Sequence, residues 1–442
     1  MQADTSAGAA PRSPFREIFK KAASLLGARV FGNILTLGYT VLIARLVPAA
    51  EFGVVMAGFS WAMLLSIVLS LNVESGSIRF LVGYIDAGNQ SLATGFVHYN
   101  RLLIGAFSGL SLVAFALLCW AGVLDASQEV VQIFGVALIA APIVALTRVY
   151  GRHATALGQV LRGGLPIMLA RPATIFCLVG IVWLSGAQPT ALQLICLILA
   201  AFVVTAGMQA YLLRQTFRFA QGAAPNYADQ RKWLETGLAM APLLLLRDNL
   251  KHVIVASAGL VLTATEVGQV ALALSIMSLL YFAIKAVDIS LSPQLSRALQ
   301  AKNTQRVTEL VGASAKLKLG VLVSGAVGVI VLGDWVLGLF GEEYLAAHMA
   351  LLAAVMIPLA DGLFGPAQIV LNVSGHQRYV FVVAGFGAIL LFLATFLGGW
   401  GGGAIGAIIG ASLAYTIQQY LLCLMSNRSA GIDTSALSAL RK

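Results

Sequence analysis

The residues of this sequence that could do chemistry are charged side chains placed inside apolar segments. The chain has 28 Lys and Arg residues, and six of them lie in such segments: Arg29, Arg45, Arg171, Arg247, Lys251 and Lys285. Side chains that could balance or assist them are Asn33, Glu74, Asp248, His252, Asp288 and Asp361. A charged side chain at the centre of a bilayer costs about 2.5–3.5 kcal/mol on insertion scales, so each one requires a partner, water or a function.

One apolar segment carries the densest group of these charges. Arg247 and Lys251 are four residues apart, so on a continuous helix both lie on one face and can point into one cavity. Asp248 precedes Lys251 by three residues and His252 by four, and it can neutralise one of them. The group keeps a net positive charge, which favours an anion or a water-filled cavity over a purely structural ion pair.

The other intramembrane arginines allow more than one interpretation. Arg29 shares a helix face with Asn33 and could either bind a ligand or extend its long stem to the cytoplasmic surface. Arg171, beside Pro172, is open between a functional and a structural role. Arg45 is one residue from the outer end of its segment, where an anchoring role is the better explanation.

Two acidic residues have candidate partners nearby in sequence. Glu74 is expected to pair with Arg79 at the cytoplasmic end of its segment. Asp288 is three residues after Lys285, so the two can form a balanced pair on one helix.

Asp361 has no obvious partner on its own segment. It could carry H⁺ or Na⁺ for coupling, or it could pair with Lys285 or Arg247 from another helix. No cofactor or metal is expected, and coupling could be to H⁺, Na⁺ or the membrane potential.

The composition indicates a polytopic membrane protein. The mean hydropathy is +0.89, and 10% of residues are charged, against about a quarter in soluble domains. A hydrocarbon core requires about 20 apolar residues per helix. By that measure the sequence predicts twelve spans, near 22–46, 53–78, 102–124, 131–150, 164–185, 190–213, 234–258, 266–292, 314–340, 347–372, 378–398 and 403–425.

The remaining 22 cations predict the orientation of the chain. They flank the termini and the even-numbered connections, with Arg12, Arg148, Arg218, Lys318 and Arg441 among them, whereas the odd-numbered connections have none. The positive-inside rule then predicts a multi-pass membrane protein with both termini in the cytoplasm. The net charge of +10 is explained by these loops and not by a nucleic-acid partner.

The two halves of the chain resemble each other. Glu51-Phe52-Gly53 opens the second span, and Glu266-Val267-Gly268 opens the eighth. Six spans per repeat is an even number, so the repeats should be related by a pseudo-two-fold axis along the membrane normal. The predicted organisation is a six-helix lobe at 1–213, a cytoplasmic linker at 214–233, a second six-helix lobe at 234–426 and a cytoplasmic tail at 427–442.

Four stretches carry a family resemblance: ARLVPAAEFG at 44–53, EVG at 266–268, LFGEEY at 339–344 and LNVSGHQR at 371–378. In this order the chain resembles the polysaccharide-biosynthesis (O-antigen and exopolysaccharide) flippases of the multidrug/oligosaccharidyl-lipid/polysaccharide exporter superfamily. The resemblance implies an all-α fold of two six-helix lobes in a V that opens alternately to either side. It also implies a lipid-linked oligosaccharide, typically on undecaprenyl pyrophosphate, that is moved from the cytoplasmic to the outer leaflet.

The resemblance also suggests roles for the intramembrane residues. Lipid II flippases of the superfamily use a set of cavity arginines, one of them on the first helix, and its counterpart here would be Arg29. Twelve spans instead of fourteen argue against the peptidoglycan role itself. The predicted substrate-binding residues are Arg29, Asn33, Arg171, Arg247, Lys251 and Lys285, and the predicted coupling or charge-balancing residues are Glu74, Asp248, His252, Asp288 and Asp361.

Implied partners are the lipid-linked saccharide, membrane lipids and polysaccharide polymerase or export machinery. The nearest alternative is a cation-coupled drug or small-solute antiporter of the same superfamily, which would favour cavity acids over bases. A membrane enzyme such as a saccharide polymerase is less consistent with the sequence, because the outward connections are too short for a catalytic loop.

Overall fold

The chain is all-α in the computed structural model, as its hydropathy predicts. The structure describes residues 14–217 and 222–436, with the side chains of 14–26 and Ile289 excepted. All regular secondary structure in these ranges is helical.

The first lobe contains six long helices. They are α1 (Pro14–Leu46), α2 (Ala49–Ser70), α3 (Gln90–Trp120), α4 (Glu129–Ala156), α5 (Val160–Leu184) and α6 (Ala191–Leu213). The outer connections are tight, and α6 begins with a capping box in which Thr190 and Gln193 satisfy each other's backbone N–H groups.

The second lobe repeats this arrangement with two interruptions. Its helices are α7 (Gln230–Asp248 and, after Asn249, Leu250–Ala258), α8 (Ala264–Gln300), α9 (Thr304–Gly338) and α10 (Glu342–Phe364, followed by a short helix Ala367–Val373). The segment Gln377–Ala430 contains the last two helices, α11 (377–401) and α12 (404–430).

A glycine pair separates α11 from α12. Gly402 and Gly403 leave the helical region, and Gly403 has φ 60°, ψ −149°, a conformation that only glycine adopts readily. The two arms then run antiparallel and in close contact. A Cβ on Gly406 would lie 2.2 Å from the carbonyl oxygen of Gly398, and one on Gly410 would lie 2.1 Å from that of Ala394. These close approaches require small residues.

The number of spans agrees with the sequence. In the described ranges ten stretches are long and apolar enough to cross a membrane. The hairpin 377–430 is one of these stretches but contains two spans, and α7 is not among them because it is interrupted. Together they account for the twelve predicted spans.

The lobes meet at their predicted outer ends through the repeated motif. A Cβ on Gly53 would lie 1.8 Å from the carbonyl oxygen of Ala264, and one on Gly268 would lie 2.8 Å from that of Ala49. The ring of Phe52 packs edge-on against Tyr344, with centroids 5.6 Å apart. The glycine of each E-x-G motif therefore lets α2 and α8 approach each other closely.

The end of the predicted cytoplasmic linker packs on the first lobe. The backbone N–H of Asn226 donates to the carbonyl of Ser91 at 3.0 Å, and Trp233 is fully buried against Phe96. A Cβ on Gly237 would lie 2.6 Å from the carbonyl oxygen of Leu71. The first piece of α7 is thus attached to the first lobe before the chain enters the second.

The start of the predicted cytoplasmic tail is also ordered against the protein. α12 continues to Ala430, and Thr434 is fully buried. Its hydroxyl donates to the carbonyl of Phe364 at 2.8 Å, where α10 ends at Gly365. This contact satisfies a carbonyl that the helix itself leaves free.

Candidate functional site

α7 breaks in the middle of the residues that the sequence singled out. Asn249 has φ −126°, ψ 15°, so the first piece ends at Asp248 and the second begins at Leu250. The prediction of one continuous helical face for Arg247 and Lys251 is therefore wrong. Arg247 Nε and Nη2 donate to Asp248 Oδ1 and Oδ2 at 3.1 and 2.9 Å.

Two arginines from two helices contact Asp248. Besides Arg247 on α7, Nη2 of Arg152 on α4 lies 3.5 Å from Asp248 Oδ2, and Arg29 on α1 is within electrostatic range of the same carboxylate but forms no salt bridge with it. We call Arg29, Arg152, Arg247 and Asp248 the interlobe arginine cluster. Asp248 thus neutralises arginines, not Lys251 or His252 as the sequence suggested.

The interlobe arginine cluster opens onto a cavity. A space of about 140 Å³ lies between the connection that follows α2, the end of α4 and the first piece of α7, and its lining includes Glu74, Ser77, Arg152, Leu244 and Arg247. The side chains of Arg152 and Arg247 are 45% and 46% exposed. These guanidinium groups are therefore accessible to water or to a ligand.

A second basic group lies on α5 and the second piece of α7. Lys251 Nζ donates to Ser275 Oγ at 2.6 Å, and Arg171 Nη1 contacts Met63 Sδ at 3.8 Å. Neither cation forms a salt bridge with any residue that the structure describes. We call Arg171 and Lys251 the acid-free pair.

His252 connects this pair to the first lobe. Its Nδ1 lies 3.1 Å from Ser60 Oγ, and both Arg171 and Lys251 act on its ring electrostatically.

The second lobe contains a network in which the charges are balanced. Lys285 Nζ lies 3.1 Å from Asp361 Oδ2 and 4.0 Å from Asp288 Oδ2, and Lys318 Nζ lies 2.6 Å from Asp288 Oδ1. Tyr415 OH donates to Asp361 at 3.1 Å, and the Gln419 amide donates to the same carboxylate. We call Lys285, Asp288, Lys318 and Asp361 the C-lobe network.

This network confirms that Lys285 can pair with Asp288 and with Asp361, and it corrects the prediction for Lys318. The closer partner of Lys285 is Asp361, as one alternative for Asp361 allowed, and Asp288 is bound more closely by Lys318. Lys318 is not a loop cation, because it lies within α9 and its side chain is 1% exposed. The sequence placed Lys318 at the edge of the apolar span 314–340, but α9 begins ten residues earlier, at Thr304.

Glu74 has a different partner from the one predicted. Leu71 and Asn72 adopt positive φ of 47° and 55° and end α2, so the short 3₁₀ helix that follows turns Glu74 inward. Its Oε1 lies 3.1 Å from Arg148 Nη2, whereas Arg79 stacks on its neighbour Phe80. Arg148 is consequently a partly buried helix residue and not a loop cation.

The remaining predicted residues divide between contacts within the protein and exposed positions. Arg45 donates to the carbonyl oxygens of Leu339 and Gly338 at 2.8 and 3.0 Å, so it caps the end of α9 and joins the lobes, where the sequence indicated an anchor. Asn33 is half-buried and Arg29 exposed on α1. The predicted loop cations Arg12, Arg218, Arg441 and Lys442 lie outside the described residues.

Arg152 is the residue that sequence reasoning missed. It was grouped with the loop cations, although it lies one helical turn after Arg148 and still within α4. The available signal was this four-residue spacing, which places both arginines on one face of a helix. Among the described residues no group of three or more His, Cys, Asp or Glu could hold a metal ion.

Comparison with known proteins supports the fold and the class. A family model described as MatE matches residues 250–397, about a third of the chain. No curated protein matches the chain.

Solved structures with the same fold cover almost the whole chain. An inward-facing multidrug resistance MATE family transporter of the MOP superfamily has 16% identity and a TM-score of 0.70, over 95% of this chain and 99% of that one. The lipid II flippase MurJ in an inward closed conformation has 15% identity and a TM-score of 0.71, over 95% and 91%.

A third structure is a MOP superfamily transporter from Pyrococcus furiosus, for which reverse polarity of the binding pocket suggests a different function. It has 15% identity and a TM-score of 0.58, over 96% of both chains. All three neighbours are transporters or flippases, and none is an enzyme. At these identities the similarity concerns the fold, so the chain has the two-lobed, multi-pass membrane fold of MATE transporters and MurJ.

Proposed function

We propose that this protein is a flippase that moves a lipid-linked oligosaccharide from the cytoplasmic to the outer leaflet by alternating access of its two lobes. The carrier would be a polyprenyl pyrophosphate such as undecaprenyl pyrophosphate, and the product a surface or exported polysaccharide. The observation that carries the proposal is the surplus of basic side chains between the lobes. Arg152 and Arg247 share one acid, Asp248, and Arg171 and Lys251 have no acidic partner among the described residues.

The chemistry of these groups fits a pyrophosphate. A guanidinium fork binds phosphate oxygens through two parallel hydrogen bonds, and a pyrophosphate supplies several negative charges that a low-dielectric path does not otherwise tolerate. The exposed cluster, with Arg152 and Arg247, faces a cavity. The acid-free pair follows on the second piece of α7 and α5, so it could receive the same head group farther along the path.

Genetic complementation tests this proposal. Deletion of the gene should cause lipid-linked oligosaccharide to accumulate, and the wild-type chain should restore export. Arg247→Ala and Lys251→Ala, expressed at normal levels, should fail to restore it. Arg306→Ala is the matched control, because Arg306 forms an exposed pair with Glu309 far from the lobe interface. Normal export with both Arg247→Ala and Lys251→Ala would refute the assignment.

The proposal includes a location and partners. The protein would lie in the bacterial inner membrane with both termini in the cytoplasm, near the polymerase or export machinery that consumes its product. Reporter enzymes fused to the C-terminus test the orientation, since a cytoplasmic reporter should be active there and a periplasmic one inactive.

A second candidate function is a cation-coupled drug or small-solute antiporter. The observations that favour it are the buried Asp361 in the second lobe and the similarity to a multidrug resistance transporter. Efflux of a lipophilic cation from vesicles, driven by a proton or sodium gradient and abolished by Asp361→Asn, would support this function. The flippase proposal expects no such efflux.

A further inference from the structure

We propose that Asp248 is a built-in competitor for the anionic head group. In the protein without substrate, its carboxylate binds Arg152 and Arg247, and the substrate's pyrophosphate must displace it from them. This inference rests on the proposed function and adds a mechanism of control at the same site.

The first support is the geometry of the Arg247–Asp248 pair. Both oxygens of the carboxylate accept from one guanidinium, at 3.1 and 2.9 Å, and this is the arrangement that a phosphate group would also adopt. Adjacent residues do not normally face each other on a helix. The pair forms because the helix ends at Asp248, where Asn249 leaves the helical region.

The second support is that the same carboxylate joins the two lobes. Arg152 on α4 of the first lobe lies 3.5 Å from Asp248 on α7 of the second. A ligand that binds Arg152 and Arg247 therefore breaks the ion pair between Arg152 and Asp248. Binding and release of the lobes are thereby coupled, because the ligand has a differential affinity for the separated state.

The third support is the exposure of Asp248 compared with the other acids. Its side chain is 29% exposed, whereas Asp288 and Asp361 are 16% and 4% exposed and held by lysines. Asp248 can therefore move into the adjoining cavity and be solvated there. Asp288 and Asp361 cannot leave their partners without exposing a buried charge.

Equilibrium binding to the purified full-length protein in nanodiscs tests the inference. The probe is farnesyl pyrophosphate, and farnesol is the uncharged control. Asp248→Asn keeps the side-chain size but removes the charge, and it should bind the pyrophosphate about tenfold more tightly than wild type. Asp248→Glu should resemble wild type, and farnesol binding should not change. Equal or weaker pyrophosphate binding by Asp248→Asn would overturn the inference.

A distance measurement tests the tie between the lobes. Spin labels on Gln90→Cys and Ala301→Cys, both exposed positions, would report the separation of the two cytoplasmic ends in a background without native cysteines. Asp248→Asn and Arg152→Gln should both lengthen or broaden this distance while they shift pyrophosphate binding in opposite directions. Distances unchanged in both variants would overturn the tie.

Arg247→Gln separates failure of this inference from failure of the proposed function. If Arg247→Gln weakens pyrophosphate binding but Asp248→Asn does not tighten it, only the role of Asp248 is wrong. If Arg247→Gln has no effect on pyrophosphate binding, the proposed function fails as well.

Discussion

The C-lobe network and the interlobe arginine cluster use the same kinds of side chain in opposite balance. In the network two lysines meet two aspartates, and Lys318 and Asp361 are 1% and 4% exposed. In the cluster two arginines share Asp248, and both of them, Arg152 and Arg247, are almost half exposed. In these two groups, the balanced charges lie in the more buried network, and the surplus positive charges lie in the more exposed cluster.

This difference has a physical cause. A buried charge is tolerated only when its partners compensate the lost hydration, so the network can hold helices of the second lobe together but has little capacity left for a ligand. Basic groups in surplus must be satisfied by water or by an anion, so they can respond to a ligand. The comparison therefore predicts a structural role for the C-lobe network and a ligand-binding role for the interlobe arginine cluster.

The largest expected effect is a loss of stability when the C-lobe network is disrupted. Lys318→Met leaves Asp288 without its closest partner, and loss of one member of a buried pair costs about 3–5 kcal/mol. Thermal unfolding in detergent should show a large drop in Tm for this variant. The double variant Lys318→Met/Asp288→Leu should recover most of the stability. A wild-type Tm for the single variant would break the comparison.

Arg247→Gln should have the opposite profile. Because Arg247 is half exposed, its ion pair contributes at most about 1 kcal/mol to stability. Loss of a charged hydrogen-bonding group should weaken pyrophosphate binding by about 1.5–3 kcal/mol. Thermal unfolding and equilibrium binding on the same preparation measure both. A large loss of stability without a loss of affinity would assign Arg247 to the structural class.

Lys251→Met tests the acid-free pair. The Lys251 ammonium is partly buried, with a serine hydroxyl as its hydrogen-bond partner, and a charge that is withdrawn from water without an opposite charge opposes folding. The variant should therefore be as stable as wild type or more stable by about 1 kcal/mol, while pyrophosphate binding weakens. If Lys251→Met unfolds as readily as Lys318→Met, the acid-free pair is structural.

A surface pair gives the smallest expected effect. The Lys232 ammonium and the Tyr84 hydroxyl donate to Asp229 and hold the pKa of that carboxyl below its usual range. Its stabilisation is present above the ordinary pKa of about 3.9 and is lost as the pH falls through the lowered value. The hydrogen-exchange protection factors of residues 226–233, which correct for the intrinsic pH dependence of exchange, should therefore fall slightly on acidification. Asp229→Asn should remove this pH dependence and leave pyrophosphate binding unchanged.

The fold could be predicted from the sequence because its causes are local or periodic. Span length follows from bilayer thickness, and the repeated Glu51-Phe52-Gly53 and Glu266-Val267-Gly268 mark helix starts that pack closely in the structure. Alternation of the loop cations also predicts an orientation without tertiary information, and that orientation stays a prediction. The glycine hairpin at Gly402–Gly403 was also visible as a short break between two apolar runs.

The charge pairing could not be predicted because it depends on which helices are neighbours. Glu74 pairs with Arg148, and Asp288 pairs with Lys318. These partners lie on different helices, so the i,i+3 and i,i+4 spacings of one helix do not predict them. The break at Asn249 follows from a polar run, Arg247-Asp248-Asn249, within an apolar span, but the sequence alone does not say that the helix ends there. Arg152 was not predicted to be a site residue because it lies beyond the apolar part of its helix, which continues to Ala156.

The most direct test of the central claim is the ligand preference of the wild-type protein. In nanodiscs, the equilibrium binding of farnesyl pyrophosphate is compared with that of a lipophilic cation, tetraphenylphosphonium, at low and high salt. The surplus of basic groups between the lobes predicts saturable pyrophosphate binding that weakens with salt and with Arg247→Gln, and no saturable binding of the cation. Saturable binding of the cation without binding of the pyrophosphate would contradict the account.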